Sequence, residues 1–134
     1  AERGVTRTRV LVASHASRYV SLFLPGPASD FLGAEVRVGT GRADLAWSHP
    51  THGVWFDEIK TWRHAGMAWD GATHDQIGRY IEAGRTTFGD RFTGVRLVVT
   101  GHTRDSVHID AHGEVTPLMR STLAPRALVM VGAA

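Results

Sequence analysis

Asp44, Glu58 and Lys60 are the residues whose types and spacing point most directly to chemistry. They lie in "GRADLAWSHPTHGVWFDEIKTW", residues 41–62, and Lys60 is the only lysine in a chain whose other strong bases are 14 arginines. "RADLAW" (42–47) and "VWFDEIKTW" (54–62) read as strands around "SHPTHG", where Pro50 and Gly53 mark a turn. Residues two apart on a strand share a face, with Cα atoms about 6–7 Å apart. Glu58 and Lys60 therefore point one way with Val54, Phe56 and Trp62, while Trp55, Asp57, Ile59 and Thr61 point the other. A hairpin symmetric about Thr51 sets Asp44 opposite Glu58, Arg42 opposite Lys60 and Trp47 opposite Trp55. Opposed Cβ atoms are about 4.5–5.5 Å apart. Two carboxylates that close repel, which raises a pKa or recruits a cation. Mg²⁺ binds through one or two carboxylates, waters and substrate phosphate. A lysine beside them holds an attacking water or stabilises charge developing on phosphorus. Carboxylates, metal and lysine together make a phosphodiester-cleaving centre.

The elements needed to hold these residues are legible around them. "RTRVLVA" (7–13) and "RYVSLFL" (18–24) read as strands joined at "SHAS", and "PGPASD" (25–30) breaks the pattern. Alternation in "FLGAEVRVG" (31–39) favours a strand running into the Gly39–Gly41 turn. After a loop at "RHAGMAWDGA", "THDQIGRYIEAG" (73–84) reads as a helix: Thr73 as N-cap with Gln76 closing a capping box, Ile77, Tyr80 and Ile81 on one face, and Gly84 just past the C-terminus. "GVRLVVTG" (94–101) is a buried strand, "SVHIDAHGEVT" a hairpin about His112–Gly113, "PLMRSTL" a helical turn and "PRALVMVG" (125–132) a last strand. The expected fold class is α+β, with a central mixed β-sheet, a catalytic β-hairpin and a flanking helix.

Composition sets the outer bounds. The 134 residues suit a single domain spanning 1–134, and 43% hydrophobic with 21% charged residues is ordinary globular usage. The absence of cysteine excludes disulfides and thiolate metal sites. Net charge is +2 and the pI about 9.7, which permits nucleic acid as a partner without demanding it. No apolar run reaches membrane-spanning length, so a cytoplasmic location is expected. The first residue is Ala rather than Met, consistent with a processed product or a domain of a longer polypeptide, and hence also with an exported toxin domain.

"GRADLAW … VWFDEIKTW … QIGRY" resembles the PD-(D/E)xK nuclease superfamily, nearest in character to its RecB-like branch. Asp44 matches the acid of that family's second strand, Glu58 and Lys60 its E-x-K, and Gln76 and Tyr80 the Q-x-x-x-Y of the following helix; the four-residue spacing puts Gln76 and Tyr80 on one helical face. The likeness covers residues 41 to about 100. It implies a restriction-endonuclease-like core and a Mg²⁺-dependent nuclease, with Mn²⁺ able to substitute. The substrate it implies is DNA rather than RNA. Asp44, Glu58 and the Ile59 carbonyl would hold the metal, and Lys60 would orient the water. The family also carries an acid near its N-terminus, for which Glu35 is favoured over Asp30, although Glu35 falls in a segment that reads as a strand.

Arginines 63, 79, 85, 91 and 96 surround the helix and form a candidate phosphate-binding face; with Arg42, the nucleic-acid contacts expected first are Arg42, Arg63 and Arg79. None of the eight histidines falls in an H-E-x-x-H spacing, and His49 and His52 sit at a turn. Trp62 and Trp69 bracket the loop after Lys60 and belong to the core or stack on an unpaired base. Two alternatives use the same fold: a non-cutting nucleic-acid-binding module, and a toxin-type nuclease domain held by an immunity protein.

Overall fold

Six strands make one mixed sheet: β1 (Asp30–Val38), β2 (Gly41–His49), β3 (Gly53–Lys60), β4 (Phe92–Val99), β5 (Val107–Asp110) and β6 (Val115–Pro117), in that spatial order. All neighbours are antiparallel except β3 and β4, which run parallel. The parallel pair needs a crossover. It is supplied by the connection that contains α2 (Gly71–Phe88). These are features of a computed structural model that describes residues 14–61 and 71–118. The expected strands at 7–13 and 125–132, the rest of "PLMRSTL" after Leu118, and residues Trp62, Arg63, His64 and Trp69 lie outside the described residues. Among the described residues, no helix is long and apolar enough to cross a membrane.

The expected α+β class with a mixed sheet is the one observed. β3 and β4 are buried along nearly their whole length. Both sheet faces over them are covered, so their sequences read as near-continuous apolar runs rather than as alternation. On one face α2 sets Ile77 and Tyr80 against Ala43, Phe56, Val95, Leu97 and Val99. On the other, Tyr19 and Phe23 pack with Trp47, Trp55, Val98 and Leu118.

Tyr19 belongs to a helix, and this corrects the strand expected at 18–24. Residues 14–22 are helical, here α1, and "SHAS" lies in its first turn rather than in a hairpin. Tyr19 and Phe23, four apart, are buried, whereas Arg18, Val20, Ser21 and Leu22 are exposed. That is a 3.6-residue period, not a two-residue one. The Phe23 and Leu24 amides both donate to the Tyr19 carbonyl, at 2.8 and 3.0 Å.

α2 is longer than its sequence ends suggest. It begins at Gly71, so Thr73 sits inside the first turn, and it runs four residues past Gly84. Gly84 is a packing glycine: a Cβ there would lie 2.3 Å from the Phe92 ring at the start of β4. The helix therefore passes Phe92 closely and ends at Phe88.

Candidate active site

The β2–β3 register is the one expected from a turn centred on Thr51: Leu45↔Asp57, Ala46↔Phe56, Trp47↔Trp55, Ser48↔Val54 and His49↔Gly53. The ladder stops at Leu45↔Asp57. Past that point the Ile59 amide donates not to a β2 carbonyl but to Asp44 Oδ2, at 2.7 Å. The next carbonyl along, that of Lys60, turns to β4 and accepts the Thr100 amide at 2.9 Å. Because N–H and C=O of one strand residue point to the same side, the Ile59 carbonyl faces β2, beside Asp44.

Glu58 stands next to Asp44 on the α2 face of β3. It is 6% exposed, and its Oε2 has no hydrogen-bond partner. Burial first, then the Asp44 charge and a hydrogen bond with Asp44, push the Glu58 carboxyl up to about 7; Lys60 and the neighbouring Tyr80 hydroxyl act against this. A lone buried carboxylate oxygen beside a second carboxylate and a turned carbonyl is a donor set that suits a hard cation. No group of three or more His, Cys, Asp or Glu side chains gathers as a metal site among the described residues. A cation here would complete its shell with water or phosphate oxygens, as Mg²⁺ commonly does.

Behind the carboxylates runs a chain of hydrogen bonds from β3 to α2 and back to β2. Lys60 Nζ donates to Gln76 Oε1 at 3.4 Å, Gln76 Nε2 donates to the Tyr80 hydroxyl at 3.0 Å, and that hydroxyl donates to the Arg42 carbonyl at 2.6 Å. Lysine has no acceptor, so the glutamine oxygen must face it and its NH₂ must face Tyr80. Gln76 is thus engaged across the site, and this replaces the capping-box role. Burial and then the Glu58 charge push the Tyr80 hydroxyl up to about 12, so it stays a proton donor. Gly41 makes room for the ring: a Cβ there would lie 3.1 Å from it.

Other expected residues fall elsewhere. Glu35 sits in β1 between the pairs Ala34↔Leu45 and Val36↔Ala43, hence beside Asp44 in sequence register. Its φ of +50° takes it out of the regular pleat and its side chain is exposed, so it does not join Asp44 and Glu58 as a third carboxylate. Asp30 pairs with Ser48 at the far end of β2 and is exposed. Arg42 and Arg79 are exposed at the ends of the hydrogen-bonded chain and on α2; Arg63 lies outside the described residues. Arg91 is tied to the His49 and Pro50 carbonyls, at 3.1 and 3.3 Å. His49 Nδ1 accepts the Thr51 and His52 amides and so shapes the turn.

Arg96 is the clearest correction to the proposed phosphate face. It is fully buried on the α1 side, where its Nε and Nη2 bind Asp57 at 2.6 Å each and Nη2 also reaches the Phe23 carbonyl at 2.8 Å. Tyr19 and Trp47 donate to the same Asp57 carboxylate, at 2.5 and 3.1 Å. Asp57 thus points away from Glu58, as strand parity requires, and locks α1 to the sheet. The role of Tyr19 and Arg96 in this lock was not read from the sequence. The signal for it was an arginine alone inside the apolar run of β4.

No family model matches the sequence and no curated protein does. Among solved structures, the chain is similar to one in a complex described as EndoMS-dsDNA2, at 21% identity and a TM-score of 0.43. The match covers 65% of this chain and 34% of the other, so this chain spans about a third of that protein's length.

Proposed function

We propose that this protein is a divalent-metal-dependent nuclease that hydrolyses phosphodiester bonds, in DNA rather than RNA. The observation that carries the reading is the partnerless, buried Glu58 Oε2 beside Asp44, with Lys60 one strand position away on the same face. In this reading Asp44, Glu58 and the Ile59 carbonyl hold Mg²⁺ or Mn²⁺, which when bound polarises the phosphoryl oxygen and lowers the pKa of water. Lys60 orients the attacking water and offsets charge on the phosphoryl oxygens. Gln76 holds the Lys60 ammonium in place, and Tyr80 ties Gln76 to β2 through the Arg42 carbonyl. Arg42, Arg63 and Arg79 take backbone phosphates. The preference for DNA rests on the PD-(D/E)xK resemblance of Asp44, Glu58, Lys60, Gln76 and Tyr80.

Plasmid DNA incubated with Mg²⁺, Mn²⁺ or EDTA tests this. Cleavage by wild type in metal but not in EDTA, lost in Glu58→Ala and Lys60→Ala, is the expected result. Equal cutting by Lys60→Ala and wild type would remove Lys60 from the mechanism. Salt-sensitive binding without cleavage under any metal would convert the reading to a binding module on the same fold.

A further inference from the structure

A second concavity lies on the opposite face of the sheet, between α1 and residues 100–104 that leave β4. Its volume is about 420 Å³, and its charged lining consists of Arg18, His102 and Arg104 without a carboxylate. Thr100, Gly101 and Thr103 complete its polar edge. The nearest acid in sequence, Asp105, is 3.3 Å from His102 Nδ1 and pairs with neither arginine. Arg18 is already oriented, since its Nη1 donates to the Thr100 carbonyl at 3.0 Å. A guanidinium has five N–H donors, and among the described residues the Thr100 carbonyl is the hydrogen-bond partner of Arg18. Arg104 is exposed and makes no ion pair among the described residues.

Two guanidinium forks facing one cavity, with hydroxyls and no opposing carboxylate, match a tetrahedral oxyanion, which arginine binds bidentately. The cavity is also placed where a nucleic-acid strand would pass. It sits at the carboxyl end of the parallel β3–β4 pair, the end of such strands where ligands gather. The Thr100 amide at its edge bonds the Lys60 carbonyl at 2.9 Å, so it lies one strand spacing, about 4.8 Å, from the backbone of the proposed catalytic lysine. The Lys60 side chain points to α2 and the Thr100 side chain to α1, where its hydroxyl meets His15 Nδ1 at 2.8 Å. We infer that the concavity bounded by Arg18, Thr103 and Arg104 binds a non-scissile phosphate of the substrate backbone, carried past the end of the sheet from the Asp44–Glu58–Lys60 site. This inference rests on the nuclease reading above.

Two measurements in EDTA test it. Inorganic phosphate should shift the backbone amide resonances of Gly101, Thr103 and Arg104 in the wild-type protein and not in Arg18→Ala/Arg104→Ala. A labelled DNA oligonucleotide, titrated over a range of salt, should bind the double variant with a slope of log K against log [salt] shallower by roughly 1, as expected for one lost phosphate contact, and with affinity lower by roughly tenfold or more. Arg104→Glu, a single change at an exposed position, should weaken binding and flatten the slope by up to about 1 while leaving the fold intact. Unchanged oligonucleotide affinity and slope in both variants would overturn this inference and leave the nuclease reading standing. Amide shifts with phosphate but no change toward DNA would make the cavity an adventitious anion site only, and would also overturn it. A wild-type protein that binds no oligonucleotide in EDTA would overturn this inference, while plasmid cleavage in Mg²⁺ or Mn²⁺ decides the nuclease reading separately.

Discussion

The Ile59 amide donates to the Asp44 carboxylate at 2.7 Å, at the point where the β2–β3 ladder ends. One side chain thus does two things. It closes the hairpin in place of a β2 carbonyl, and it is held with a lone pair to spare beside Glu58 and the Ile59 carbonyl. Opening the ladder by one residue leaves both carboxylates side by side at the end of the hairpin.

Asp44→Asn and Asp44→Ala separate those roles. Both remove the charge and should weaken Mn²⁺ binding more than tenfold by calorimetry. Asparagine keeps an acceptor for the Ile59 amide and alanine does not. Asp44→Ala should therefore be less stable than Asp44→Asn by about 1–2 kcal/mol in urea melts with EDTA. Equal stability would mean that the hydrogen bond contributes nothing to the fold.

Glu58 makes the metal-free protein less stable as pH rises. Its carboxyl titrates near 7 when folded and near 4.5 when unfolded. Between those values the folded state holds the extra proton, so unfolding stability falls with pH through that window and levels off above it. Glu58→Gln should abolish this slope and, at pH 8, exceed wild type by about 1–2 kcal/mol, a figure discounted for solvent at the mouth of the site. Denaturant melts in EDTA across the window decide; an identical slope in the variant would refute the assignment.

The same carboxyl must shed its proton to bind a cation. Mn²⁺ binding at pH 6, in two buffers of different ionisation enthalpy, should show release of about one proton, and almost none well above pH 7. Release that does not vary with pH would place the metal away from Glu58.

Asp57 and Glu58 are sequence neighbours with opposite expected phenotypes. Asp57→Ala leaves Arg96 buried without its partner, which costs about 3–5 kcal/mol, or roughly 10–18 °C in Tm for a chain of this size. Glu58→Ala should keep the fold and lose cleavage. A stable Asp57→Ala would show that α1 is held by apolar contacts alone.

Gly84→Ala gives a test of sign. Helix propensity alone favours alanine by about 1 kcal/mol. The Phe92 ring, 2.3 Å from the added Cβ, reverses that, and the variant should be destabilised by about 1–3 kcal/mol. Thermal unfolding measures it directly, and Phe92→Leu in the same chain should recover part of the loss.

Much of the geometry was legible in residues 41–62 because strand parity and turn position are local. Pro50 and Gly53 centre the turn, the turn sets the register, and the register sets Asp44 and Glu58 on one face with Asp57 on the other. Helical spacing likewise put Gln76 and Tyr80 on one side of α2. "RYVSLFL" reads as a strand because a short apolar run fits either period; the four-residue gap between Tyr19 and Phe23 is the helical signal in it. Gly84 reads as a helix end because a terminal glycine and a packing glycine look alike until Phe92 is placed against one of them.

The sequence by itself therefore determined the hairpin, its register and which acids share a face, since these follow from dihedral periodicity within a few residues. Only the tertiary structure decided which charges are buried and which meet solvent. Arg96 disappears into the core because Asp57, 39 positions away, waits there, while Arg18 and Arg104 meet across a cavity that exists only once α1 packs on β4. Burial and long-range pairing depend on the whole chain's packing, and no local pattern encodes them.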